Sequence, residues 1–353
     1  MNHMRNFIAI LFVSSIFTLR AQSSETKYLF KNHKEGYNLY RIPAIIKTAS
    51  GKLLAFCEGR KGLSDKGDID LVMKSSEDNG KTWSSLKVIW NMGSNTCGNP
   101  TPVFDKVKSE VIILGTFNNA QVYVLRSKDE GISWEPPINI TSSVKANNWK
   151  WYATGPGHAI QLSNPAYENR IVVPCNHVGN ETDKHFSHVI YSDDGGVSWK
   201  LGGSVPNKNT DECTVAELST GELMLNMRNY DRRLPNRKTS ISKNGGDTWT
   251  NAIFDSTLIE PICQGSLLRY SFKPDILLFS NPLNKKKRKN LTISVSYNNG
   301  QIWAKQINIY HDKSAYSDMV VLNNGDVLCL YETGKILPYS GIALKIINKK
   351  LIH

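Results

Sequence analysis

A series of short phrases sets arginines, acids and a tyrosine where they could do chemistry. Tyr40-Arg41-Ile42-Pro43 is the strongest of them. Glu58-Gly59-Arg60 leads into Ser64-Asp65-Lys66-Gly67-Asp68-Ile69-Asp70, a loop rich in glycine and aspartate. Further on come Gly98-Asn99-Pro100-Thr101-Pro102, Thr154-Gly155-Pro156-Gly157, Glu212-Cys213-Thr214-Val215, Leu225-Asn226-Met227-Arg228 and Ala315-Tyr316-Ser317-Asp318. Arginine offers a planar, permanently charged fork that holds a carboxylate through two bonds. Acids in such loops can move protons, or can simply close turns. A tyrosine, with a pKa of about 10, attacks poorly near neutrality unless a base takes its proton. Metal chemistry is not indicated, because His185 and His188 in His-Phe-Ser-His have no companion ligands and a bare H-x-x-H is weak. Gly-rich phosphate loops are absent.

The elements that must position these groups are announced by one phrase written five times, S-x-D-x-G-x-x-W. It runs Ser76 to Trp83, Ser127 to Trp134 and Ser192 to Trp199, then twice with Asn in the Asp position, Ser242 to Trp249 and Ser296 to Trp303. The starts lie 51, 65, 50 and 54 residues apart, a period that suits propeller blades. Apolar, β-rich residues precede most copies (Ile69 to Val72, Val122 to Leu125, His188 to Tyr191, Leu291 to Val295). The Asp or Asn side chain bonds to nearby amides and the glycine accepts positive φ, which together make a hairpin turn. Five of the eight tryptophans occupy this slot, so they read as plugs over turns rather than as a binding site.

Met1 to Arg5 is short and basic, Phe7 to Phe17 is apolar, and Leu19-Arg20-Ala21 offers a cleavage site. Residues 1–21 thus read as an export signal, too short for a stable membrane anchor, and no further span is expected. Residues 22–353 then form one all-β domain, with room for six blades of about 55 residues each. Six scattered cysteines lack the spacing of a disulfide scaffold or zinc site and read as small buried hydrophobes. The net charge is +12, or about +10 once Arg5 and Arg20 are removed, which favours encounter with an anionic substrate. Nucleic acid is a poor partner, because the basic residues are scattered and the chain reads as exported.

An N-terminal Tyr-Arg-Ile-Pro followed by repeated Asp boxes, with the other phrases in the same order, resembles the bacterial exo-α-sialidases. These are the retaining neuraminidases of glycoside hydrolase family 33, and the resemblance covers essentially the whole mature chain. It implies a six-bladed β-propeller with its active site at the mouth of the axis, away from the Asp boxes. It also implies sialylated glycans as partners and no cofactor. Arg41, Arg228 and Arg288 match the three arginines that converge on the sugar's carboxylate, although Arg288 sits among Lys285, Lys286, Lys287 and Lys289 and its register is open. Glu332 in Leu330-Tyr331-Glu332-Thr333-Gly334 resembles the acid that holds the first arginine.

Sialidases use a tyrosine nucleophile, which spares the substrate's carboxylate from meeting another anion. The resemblance makes Tyr316 that nucleophile and Glu212 its proton acceptor, with Glu217 as competitor. Asp65 matches the acid/base, with Asp68 and Asp70 as local rivals. Arg60 lines the same pocket, and Asn99 matches a position facing the sugar's 4-hydroxyl or acetamido side. Trp149, Trp151 and Tyr152 are either cleft walls or blade core. The rival readings are a trans-sialidase, an intramolecular form releasing anhydro-sialic acid, and a non-catalytic sialic-acid-binding propeller. The last would need the arginines but not Asp65, Glu212 and Tyr316 together.

Overall fold

The computed structural model describes residues 26–179 and 184–353. The export signal expected over residues 1–21 lies outside the described residues. Among those described, the chain is all-β with a propeller-like arrangement, and every pairing between its strands is antiparallel. Consecutive strands pair with their neighbours, so each sheet is a meander. The first contains Leu39–Lys47, Leu53–Arg60, Ile69–Ser76 and Lys87–Trp90. Three more follow in the same style, beginning at Cys97–Asp105, Trp149–Thr154 and Thr210–Glu217.

The remaining sheet has seven strands, so hydrogen bonding gives five sheets among the described residues rather than six separate ones. The cause is one unbroken strand, Lys305–Val321. Its first half pairs with Lys289–Ser296 and its second half, from Ser314, with Val327–Thr333. At the edge of this sheet Tyr28–Lys31 pairs with Gly341–Ile347, joining the two ends of the described chain.

The five box turns share their Ser and Asp or Asn bonds, whereas the indole bond to the box glycine forms only at Trp83 and Trp199. In the first, Ser76 Oγ accepts the Gly80 amide at 2.9 Å. Asp78 accepts the Thr82 amide at 2.9 Å and its hydroxyl at 2.6 Å, and the Trp83 indole donates to the Gly80 carbonyl at 3.1 Å. Gly80 has φ +83, and a Cβ there would meet Leu328 Cδ1 at 2.6 Å, so only glycine closes this turn against the neighbouring sheet. Asn244 and Asn298 accept the same amides at 2.9 Å. Between the sheets lie apolar clusters such as Ile45, Leu53, Val72, Leu328 and Leu344. All six cysteines are buried and unpaired. No described helix is long and apolar enough to cross a membrane.

The box aspartates imply an acid-sensitive fold. Bonds from Ser133 hold Asp129 at about 2. Burial pushes Asp194 up, but bonds from Ser198 and Ser192 outweigh it and leave the carboxyl at about 2. Asp78 is lowered too, chiefly by bonds from Thr82. A depressed folded-state pKa gives stability that is present above the unfolded value of about 3.9 and lost as the pH falls through the folded value. Unfolding followed by fluorescence should therefore steepen between about pH 4 and pH 2. Replacing Asp78, Asp129 and Asp194 together by Asn should flatten that limb, because Asn244 and Asn298 already accept the same amides without titrating. An unchanged limb would show that other acids control it.

Candidate active site

A cavity of about 500 Å³ gathers residues from every sheet, within the size range of small-molecule sites. It opens at the end of the inner strands where Leu39 faces Arg60, and Arg60 faces Ile69. The box serine Ser76 pairs with Leu53, and Leu53 with Lys47 at the other end of the inner strand. Strand direction thus places turns and cavity at opposite ends, and no box residue lines the cavity.

At its floor Tyr316 donates to Glu212 Oε1 at 2.5 Å. Arg228 Nη1 donates to Glu212 Oε2 at 2.7 Å and to the Tyr316 hydroxyl at 3.0 Å. Its Nη2 donates to the Tyr230 hydroxyl at 2.8 Å. The guanidinium groups of Arg41 and Arg288 lie 5.2 and 5.6 Å from the centre of the Tyr316 ring. Burial pushes the Tyr316 phenol well above 10 and the Glu212 charge adds to this, while Arg228, Arg288 and Arg41 pull it back. The phenol is therefore neutral at rest, with its acceptor already in place.

Arg41 is fixed from behind. Glu332, fully buried, accepts Arg41 Nε at 2.6 Å and the Ile42 amide at 2.9 Å through Oε1, and the Tyr316 amide at 3.2 Å through Oε2. One carboxylate thus sets both an arginine and the tyrosine's backbone. The ladder breaks register between Arg41 and Ala44, and such a bulge re-aims a side chain. Burial opposes the charge on Arg41, but Glu332 outweighs it and the guanidinium is held more basic than usual. Arg288 lies one residue before the strand Lys289–Ser296 and donates to the Tyr339 hydroxyl at 2.8 Å and to the Ile262 carbonyl at 2.9 Å. Its lysine neighbours Lys285, Lys286 and Lys287 are exposed, whereas Arg288 is half-buried and lines the cavity.

On the rim, Asp65 is 81% exposed and accepts Arg60 Nη1 at 2.6 Å. Arg60 is itself buried and held by Glu58, whose Oε2 accepts its Nε at 2.8 Å and its Nη2 at 2.5 Å. Glu58 Oε1 accepts the Asn99 amide at 2.9 Å. The Asn99 side chain donates to Thr116 at 2.9 Å and Asn119 at 2.8 Å. The protein wall displaces some of the water around Asp65 and raises its pKa, but the bond from Arg60 and the charges of Arg60, Arg41 and Arg288 outweigh this and hold the carboxyl below its usual range.

The rivals fall elsewhere. Glu217 accepts the Ser163 amide and hydroxyl at 2.8 and 2.9 Å, away from Tyr316. Asp70 is buried against the Tyr37 hydroxyl at 2.6 Å, and neither it nor Asp68 lines the cavity. Trp151 is a wall of the cavity, whereas Trp149 stacks on His177 and Tyr152 is core. His188 is buried and bonds to Tyr152 at 3.0 Å, and no metal-binding group of three ligands occurs among the described residues. Sequence reasoning missed Asp211, Tyr230, His185 and Tyr339, all on the cavity wall. Strand alternation puts Tyr230 on the face of Arg228, a signal that was legible. Tyr339 comes from a loop with no pattern.

The chain matches the BNR repeat-like domain over residues 42–329. It is 29% identical over 350 residues to a sialidase of Bacteroides fragilis, covering 88% of this chain and 63% of that protein. A sialidase of Micromonospora viridifaciens is 27% identical over 344 residues, covering 89% of this chain and 53% of that one. A solved structure, the Hadza microbial sialidase Hz136, has a TM-score of 0.81 at 27% identity and covers 90% of this chain and 67% of the other. The chain thus spans 63% and 53% of the length of the two curated relatives. The match, the five repeated turns and the antiparallel sheets agree: this chain belongs to the BNR repeat-like domain family.

Proposed function

We propose that the chain is a retaining exo-α-sialidase that releases terminal sialic acid from glycans. The observation that carries this reading is the 2.5 Å bond between Tyr316 and Glu212, flanked by three buried or half-buried arginines. Arg41, Arg228 and Arg288 hold the sugar's carboxylate. Tyr316 Oη attacks the anomeric carbon as Glu212 takes the phenol proton, and Asp65 gives a proton to the departing oxygen. Water then attacks the anomeric carbon, Asp65 takes its proton, and the phenolate leaves and recovers its proton from Glu212. The two displacements each invert the anomeric carbon, so the product keeps the configuration of the substrate. Arg60 keeps Asp65 ionised before substrate arrives. The arriving carboxylate offsets the arginine charges and raises the Asp65 pKa, so Asp65 takes up a proton from solvent and then has one to give to the leaving oxygen.

The same reading makes the scaffold a six-bladed propeller. Lys305–Val321 would run from the outer strand of one blade into the inner strand of the next, and Tyr28–Lys31 would complete the last blade. Export directed by residues 1–21 belongs to the reading as well, and N-terminal sequencing of secreted protein would test it.

The test is release of free sialic acid from an α-sialoside by purified protein, with product analysis to separate hydrolysis from transfer or anhydro-sugar formation. Binding without turnover would favour a lectin and sink the enzyme reading. Asp65→Asn should slow substrates with a sugar leaving group by about 10²- to 10⁴-fold. It should slow an aryl sialoside much less, because a phenolate leaves without full protonation. Equal losses on both substrates would remove Asp65 from the acid role.

A further inference from the structure

Glu332 supports Arg41 from behind. A second fully buried glutamate, Glu260, stands behind Arg228 and Arg288. Its Oε1 accepts the amide of Asn229 at 3.0 Å, one residue after Arg228. Its Oε2 accepts the amide of Cys263 at 2.9 Å, one residue after Ile262, whose carbonyl receives Arg288 Nη2. Arg237, also fully buried, ties the same points together. Its Nη1 lies 3.4 Å from Glu260 Oε2 and 2.7 Å from the Cys263 carbonyl, and its Nε donates to Asn226 on the Arg228 strand at 2.7 Å.

The arrangement repeats that of Glu332. Ile42 has φ +61 and Ile262 has φ +55, a region that β-branched residues avoid and that persists only where surroundings impose it. In each case a buried glutamate accepts an amide at or beside the strained isoleucine, and an arginine of the cavity is bonded to or adjoins that isoleucine. A buried ion pair is weak evidence for stability, since apolar residues of similar volume often do as well or better. Arg237 Nη2 and Asn226 Nδ2 are moreover buried without a partner. A cluster that costs desolvation and leaves donors unmet, directly behind two ligand-facing arginines, fits a positioning role better than a packing one.

We propose that Glu260, backed by Arg237, is a positioning residue that sets the backbone behind Arg228 and Arg288 so that both converge on the substrate's carboxylate. This rests on the sialoside reading given above.

The test is calorimetric binding of N-acetylneuraminic acid and of its methyl ester, well below the melting temperature, to wild type and Glu260→Gln. Glutamine keeps the shape but can accept only one of the two amides. The preference for the acid over the ester should fall at least tenfold, while the ester's own affinity changes little. If Glu260→Gln does not fold, Glu260→Asp is read by the same ratio. It retains the charge opposite Arg237 but is one methylene too short to reach both amides. A folded variant with a lower melting temperature but the wild-type ratio would overturn the proposal, because a merely structural role moves stability alone. If wild type itself fails to prefer the acid, the sialoside reading is what fails.

Discussion

Tyr316→Phe should fold, bind the sialoside and lose turnover by about 10⁴-fold or more, the scale seen when a covalent nucleophile is removed. The phenol oxygen has two partners, Glu212 and Arg228, and those two also bond to each other at 2.7 Å. Removing it leaves a matched ion pair rather than an orphaned charge, so stability should change little. Arg41 and Glu332 are untouched, so ground-state affinity should persist and the loss should appear in kcat. Rapid-quench intact-mass measurement gives an independent reading. Wild type should gain the mass of one sialyl group during turnover, and the variant none. A variant within tenfold of wild type, or one that still gains the adduct, would remove Tyr316 from the nucleophile's role.

The second large effect concerns the Arg41–Glu332 pair and separates stability from recognition. Arg41→Met leaves Glu332 as a fully buried carboxylate without its cation. Breaking a buried pair in this way costs about 3–5 kcal/mol, which urea unfolding would read directly. Charge-assisted bonds to a ligand carboxylate contribute about 1.5–3 kcal/mol each, so KM should rise by roughly 10- to 100-fold as well. Adding Glu332→Gln removes the stranded charge, and the glutamine carbonyl can still accept the Ile42 amide, though not the Tyr316 amide as well. The double variant should recover part of the stability and none of the affinity. If the single variant unfolds at the wild-type urea concentration, the pair is not the support described. If the double variant regains affinity, Arg41 does not touch the ligand.

The remaining question is how much of this arrangement was already written in the chain. The box turns were, because a Ser, an Asp or Asn and a Gly at fixed spacing satisfy their own amides within one hairpin and need no distant partner. Each box therefore marks a turn wherever it occurs, and the all-β meander follows from the apolar stretches before it. Candidate residues were legible as types: Arg41, Asp65, Glu212, Arg228, Arg288, Tyr316 and Glu332 stand in phrases whose order resembles a known family. What local pattern could not decide was convergence. Tyr316 meets Glu212 across 104 residues and Arg41 meets Glu332 across 291. Those meetings depend on how the sheets are set around the axis, and no period of two residues carries that information. That Glu212 rather than Glu217 meets Tyr316, and that Asp65 rather than Asp70 reaches the cavity, was likewise tertiary, since Glu217 is bonded to Ser163 and Asp70 to Tyr37. Glu260 was invisible for the same reason. Its chemistry is an ordinary carboxylate in the sequence, and only folding buries it against two amides that belong to different strands.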